Sequence, residues 1–211
     1  YYYGKRPNGV YIPRFRNLNG EKRDYIRGFG YQGSASRVGW GRDVAEMNIG
    51  GEFKDALAEP GDWSMGITAF GEMLPYHENK ISLDKSKKDK WGLPVLAIDC
   101  EIKDNERKMR VDMMQDAKEM LEIAGVKNVK TYDNDYYPGM GIHEMGTARM
   151  GRDPKTSVLN SFNQMHEVPN VFITDGSCMT SGSCVNPSLT YMALTARACD
   201  FAVKEMKRMN I

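Results

Sequence analysis

The stretch NERKMRVDMMQDAKEMLEIAG, residues 105–125, decides the fold class. Val111, Met114, Ala117, Leu121 and Ala124 recur at spacings of three and four residues, an apolar stripe along one side of a helix, and Gly125 supplies the stop. The spacing predicts an amphipathic helix from about Asn105 to Ala124 lying as a cover on a sheet. Upstream, short alternating runs supply that sheet. Val10-Tyr11-Ile12 and Arg23-Asp24-Tyr25-Ile26-Arg27 are flanked by the turn formers Pro7-Asn8-Gly9 and Asn19-Gly20; Trp63, Met65, Ile67, Met73, Ile81 and Leu83 continue the style, and Leu93 to Ile102 is one more strand candidate. The charge run Asp84 to Lys90 between them reads as a solvated loop.

Downstream of the helix, Tyr132 to Val185 is dense in Gly, His, Thr, Ser and Asn, and holds one short apolar run, Val171-Phe172-Ile173-Thr174, that stops at Asp175-Gly176. A second helix is expected after Asn186-Pro187, since proline suits the first helical position, with Leu189, Ala193, Ala196, Cys199, Val203 and Met206 on one stripe. The expected fold is therefore α+β: a mainly antiparallel sheet covered by helices. Chemistry is expected in the polar segment between the two helices.

Composition narrows the function classes. With 211 residues and 41% hydrophobic content the chain can close a core. Its 29 Lys+Arg and 28 Asp+Glu leave a net charge of +1, so no long-range field draws nucleic acid or anionic lipid. Specificity must come from a shaped site. No run approaches the roughly 20 apolar residues of a membrane-spanning helix, and the opening Tyr1-Tyr2-Tyr3 carries no readable targeting signal, so localisation stays open. Cys100, Cys178, Cys184 and Cys199 form no CxxC pair; buried free thiols are expected, and no metal site.

One motif misleads. Gly28-Phe29-Gly30-Tyr31-Gln32-Gly33 spells G-x-G-x-x-G, but a dinucleotide fingerprint needs a buried strand before it and a helix after it, and SASRVGWGRD is not the start of a helix. A glycine-rich sheet turn is the expectation. Ser177 and Ser183 lack the G-x-S-x-G elbow of a serine hydrolase.

The last third carries a composite. Gly141-Ile142-His143-Glu144-Met145-Gly146-Thr147-Ala148-Arg149-Met150-Gly151 is followed by Asp153-Pro154, by Phe172-Ile173-Thr174-Asp175-Gly176-Ser177, and by Asn186-Pro187-Ser188-Leu189-Thr190 opening an Ala-rich helix. This order resembles the C-terminal signature of the glucose-methanol-choline (GMC) oxidoreductases. Tyr11-Ile12-Pro13-Arg14-Phe15-Arg16, Arg27 to Gly33, Asn79 to Leu83 and Trp91 to Pro94 extend the likeness, more loosely, to the branch with gluconate dehydrogenase-like and glucoside-oxidising flavoproteins.

The resemblance implies that residues 1–211 are the substrate domain, with the signature in 139–211, and that an N-terminal FAD-binding domain lies outside them, toward which the last helix packs. It implies FAD as cofactor, held weakly by these residues alone, an alcohol or sugar as substrate, and an electron acceptor that no residue names. His143 and Asn186 occupy the catalytic pair of the family pattern; Asp175, Gly176, Asn186, Pro187 and Thr190 fall where the flavin is approached. The residues themselves agree in kind. Imidazole titrates nearest neutrality and suits a base, and an amide donor suits an oxygen gaining alkoxide character. Asn186 also suits a helix N-cap. Arg149 reads equally as a salt-bridge partner or a ligand contact, and His77 and His166 read as surface residues. A substrate- or partner-binding module that kept the fold without catalysis is the alternative.

Overall fold

The computed structural model describes residues 9–37, 50–58, 61–134, 136–139 and 142–211. Pro7, Asn8 and Gly141 among the motif residues, and the WGRD after Val38, lie outside them. Three strands form the main sheet: β1 (Gly9–Ile12), β2 (Phe29–Arg37) and β3 (Trp63–Gly71), with β2 central and both pairings antiparallel. A short helix, α1 (Gly51–Ala58), precedes β3. The hairpin β4 (Lys80–Lys88) and β5 (Pro94–Asp99) follows as a separate two-stranded ribbon. Then comes α2 (Asp104–Ile123), a 3₁₀ turn at Gly176–Cys178, and α3 (Ser188–Lys207). The α+β class with antiparallel sheets stands as the sequence predicts.

From Phe29 on, the G-x-G-x-x-G segment lies inside β2 rather than at a turn, with Gly28 just before the strand, and the residues after Gly33 continue it to Arg37. Its glycines serve close approach. A Cβ on Gly30 would stand 2.8 Å from Ile12 O, and one on Gly33 would collide with the carbonyl of Gly66 across the sheet.

The core sits between the sheet and α2. Tyr25, Phe29, Tyr31 and Met109 are buried, with Phe29 and Tyr31 edge-to-face at 5.5 Å, and Met113, Ala117 and Met120 extend the helix face. Gly71 ends β3 where a Cβ would stand 2.6 Å from Met109 Sδ, so the helix rests directly on the strand backbone. This corrects the expected stripe: Val111 and Ala124 are exposed, and the buried side runs through Met109, Met113, Ala117 and Met120. Polar partners chose the face. Arg16 Nη2 donates to Asp116 at 2.6 Å and its Nε to Asp112 at 3.1 Å, while the Tyr25 hydroxyl donates to Asp112 and the Tyr31 hydroxyl to Asp116 at 2.5 and 2.9 Å.

Three further expectations change. Residues 23–27 are not a strand, because side chains take their backbone groups: Asn17 Nδ2 donates to Tyr25 O and Arg27 O, and Asn105 bonds Ile26 on both sides. Most of the charge run extends β4, with a register shift between Asp84 and Lys88 where Asp84 accepts from Ser86 N and Lys87 N; only Asp89 to Leu93 forms the turn. Val171 to Thr174 makes one isolated bridge, Gln164 with Phe172, since the backbone of Ile173 is engaged by Asn163.

Candidate active site

The polar segment is pinned to the chain in layers. Ala148 N and Met150 N donate to Ser177 O and Cys178 O at 3.0 and 2.9 Å, which lays the segment after His143 against the Asp175–Cys178 turn. Asp175 caps that turn, accepting from the amide and the hydroxyl of Ser177. Beneath it, Asn163 is fully buried at φ +63°. Its Nδ2 donates to Ile173 O at 2.9 Å, and its Oδ1 accepts from Arg197 of α3 at 3.1 Å. Phe201 of α3 stacks on Phe162 at 4.2 Å and meets Phe172 edge-on. Arg197, Asn163 and Phe201 hold the segment to the helix, and no motif in the sequence singled them out.

His143 and Asn186, 43 residues apart, come together: His143 Nε2 lies 3.0 Å from Asn186 Oδ1. Nδ1 lies 2.7 Å from Ile142 O. A carbonyl can only accept, so Nδ1 carries a proton. Nε2 then has two states matched to two ends of one amide: unprotonated, it accepts from the Asn186 NH₂, and protonated, it donates to the carbonyl oxygen. As placed, the amide oxygen faces the ring, the end that pairs with an N–H at Nε2. A half-turn of the amide serves the neutral ring.

Both side chains are exposed, and so are their neighbours Ile142 (88%) and Leu189 (78%). Pro187 is buried and occupies the N-cap position of α3 rather than its first turn, with no side-chain cap. Asn186 is therefore not the helix cap; its carbonyl faces the histidine. The first-turn amides keep their partial positive charge, with exposed Thr190 among them. Gly176 is buried, and a Cβ there would stand 2.7 Å from Tyr191 Oη and 2.8 Å from Glu144 O.

Residues 75–195 match the sequence model of the GMC oxidoreductase family. The chain belongs to the GMC oxidoreductases. It is 39% identical over 139 residues to a 2-methyl-1,2-propanediol dehydrogenase of Mycolicibacterium austroafricanum, covering 64% of this chain and 24% of that protein. It is 32% identical over 156 residues to the gluconate 2-dehydrogenase flavoprotein of Pantoea cypripedii, covering 70% and 25%. With the fructose dehydrogenase large subunit of Gluconobacter japonicus it shares 26% over 198 residues, covering 93% and 36%. The GMC chain thus spans between 24% and 36% of the length of these relatives.

Other candidates of this GMC oxidoreductase chain resolve differently. Arg149 forms no ion pair among the described residues, while its carbonyl accepts from Val158 and Leu159. His77 is exposed, but His166 is half-buried, with Nε2 3.2 Å from Ser157 Oγ. Cys178 and Cys184 are buried and free as expected; Cys199 is exposed and Cys100 half-buried. Among the described residues no cluster of metal ligands occurs and no helix is long and apolar enough to cross a membrane.

Proposed function

We propose that this chain is the substrate-side part of a flavin-dependent oxidoreductase that oxidises a CH–OH group of an alcohol or sugar, with His143 as the base. The 3.0 Å approach of His143 and Asn186 on an exposed face carries the reading. The named substrates of three relatives, a diol, gluconate and fructose, all offer such a carbon.

Alcohol oxidation removes a proton from oxygen and a hydride from carbon. No side chain accepts a hydride; FAD, when bound, supplies the acceptor. The residues present fit that group. Exposed Ile142 and Leu189 offer apolar cover for a broad planar ring, and the uncapped first turn of α3 offers donors and a positive dipole end to a ring edge that gains charge on reduction. Asn186, Pro187 and Thr190 would hold the ring side of the cofactor, and the Asp175–Gly176 turn its chain. An FAD-binding domain outside residues 1–211 supplies the remaining contacts, so these residues alone hold the cofactor weakly. The outward side of α3 packs toward that domain.

The chain's own part is proton handling. Ile142 O fixes the proton on Nδ1 and leaves Nε2 to take the hydroxyl proton. Without substrate Asn186 shares a hydrogen bond with Nε2; bound substrate takes over that single lone pair, and the Asn186 NH₂ then donates to the substrate oxygen as it gains alkoxide character.

In the complete enzyme, His143→Ala is expected to slow flavin reduction by roughly 10² to 10⁴, the usual worth of a positioned base. Anaerobic stopped-flow bleaching of the flavin measures it. A variant reduced at the wild-type rate across neutral and mildly alkaline pH would remove His143 from the mechanism.

A further inference from the structure

Met145, two residues beyond His143, touches three other segments at once. Its Sδ accepts from the Tyr191 hydroxyl of α3 at 3.4 Å. The same sulfur lies 3.1 Å from where a Cβ on Gly176 would stand, and its Cγ and Cε lie 3.4 Å from the corresponding point on Gly182. Gly176 follows Asp175 in its capped turn; Gly182 lies on the loop that leads to Asn186.

The backbone around His143 is gripped at the same two points. The Cβ position of Gly176 is 2.8 Å from Glu144 O and 2.7 Å from Tyr191 Oη, and that of Gly182 is 3.5 Å from His143 O. Both neighbours are glycines, which lets the two loops close on residues 143–145. The loop toward Asn186 also holds Ser183 at φ +58°, a conformation kept only where surrounding contacts impose it. Burial, first, raises the Tyr191 phenol above its ordinary range, so the hydroxyl stays a donor.

We infer that Met145 is a positioning residue that sets the His143–Asn186 separation, with the Tyr191 hydroxyl holding its thioether in place. It fills the space that three backbones leave, so removing it frees the His143 segment to shift relative to Asn186. A flexible thioether suits such an irregular gap, and unlike leucine it also accepts a weak hydrogen bond. The inference rests on the reading of His143 as the base.

In the complete enzyme, Met145→Ala is expected to slow flavin reduction roughly 10- to 10²-fold, the scale of a misplacement near 1 Å. The substrate KM should stay within about threefold, because contacts to bound substrate are untouched. Met145→Leu should recover most of the rate. In a His143→Ala background Met145→Ala should add less than about twofold, since both act through one imidazole. A readout independent of turnover is the ring-nitrogen NMR of His143 in the flavin-free protein, assigned by loss of its signals in His143→Ala: wild type should show Nδ1 protonated alone when neutral, and Met145→Ala a mixture of tautomers.

Wild-type reduction with unchanged ring signals in Met145→Ala would overturn the inference, as would effects of Met145→Ala and His143→Ala that multiply. Should Met145→Ala fail to fold, Tyr191→Phe decides it, with the same change in ring signals expected on a smaller scale and unchanged signals refuting it. If His143→Ala itself reduces at the wild-type rate, the base assignment fails instead, while the ring signals still report whether Met145 sets the histidine.

Discussion

Helices α2 and α3 are each 20 residues long and each announce themselves by apolar periodicity, yet they spend their apolar sides differently. Helix α2 buries Met109 and packs Met113, Ala117 and Met120 against the sheet. Helix α3 turns Ala198, Phe201 and Tyr191 toward the signature loops and leaves Leu189, Met192, Val203 and Met206 at 78, 68, 49 and 62% exposure. The whole stripe that the periodicity picks out lies on that exposed outer side. One helix is completed by its own chain. The other has an inner side that builds the site and an outer side suited to a further apolar surface.

The largest effect expected from this contrast comes from Arg16. It is the cation between Asp112 and Asp116, whose side chains keep only 17 and 12% of their exposure. Arg16→Met would leave these two α2 carboxylates with tyrosine hydroxyls and the more distant Arg23 as their remaining partners, at about 3 kcal/mol, the low end for breaking a buried pair. Hydrogen exchange in the complete protein should therefore run roughly 10² faster along α2 with α3 unchanged. Equal acceleration in both helices would show that the two regions open as one unit and dissolve the contrast.

The same ion pairs explain what could be read in advance. Helix existence and extent were legible, since the expected 105–124 and the observed Asp104–Ile123 differ by one residue at each end. The buried side of α2 was not, because methionines lie on several sides of it and a network reaching from Arg16, nearly 100 residues away, chose among them. Strand character at 23–27 and 171–174 was over-read for a related reason: Asn17, Asn105 and Asn163 satisfy those backbones from a distance, which no local pattern announces. The meeting of His143 with Asn186 was legible only through the ordered composite. The seat of Met145 between Gly176, Gly182 and Tyr191 had no signal, since each residue is ordinary in its own segment.

A smaller effect tests the outer side of α3. Met206→Ser in the complete enzyme should cost about 1.5 to 2 kcal/mol if that side is covered, the worth of burying such a side chain. It should cost no more than about 0.5 kcal/mol if the side faces water. Hydrogen exchange along the last turns of α3 measures it, and a change at the lower value would make the two helices differ in exposure alone.

The smallest effect concerns alkali, where the α2 region holds an excess of restrained phenols. Burial, reinforced by the hydrogen bond to Asp112, holds Tyr25 well above the usual phenol range, and burial with Asp116 does the same for Tyr31. Tyr76 is pushed up to about 12 by burial and its bond to Glu106, which also accepts from Leu74 N and Lys103 N at the start of α2. On the α3 side burial raises Tyr191. The sign follows from the proton count. Unfolded tyrosine ionises near pH ~10, so between that pH and the folded value the native state holds protons that the unfolded chain sheds; the stability these tyrosines contribute is intact below pH ~10 and is lost as pH rises through that window. A jump to a pH between the free phenol value of ~10 and the folded value of Tyr76 should therefore ionise exposed tyrosines within mixing and the restrained ones only as the structure loosens, giving a fast and a slow rise in phenolate absorbance. Tyr76→Phe should remove one phenolate's worth of amplitude from the slow rise and none from the fast one. Loss from the fast rise instead would mean that Tyr76 titrates in the folded protein with water in place of Glu106, and that the start of α2 is less firmly seated than its core.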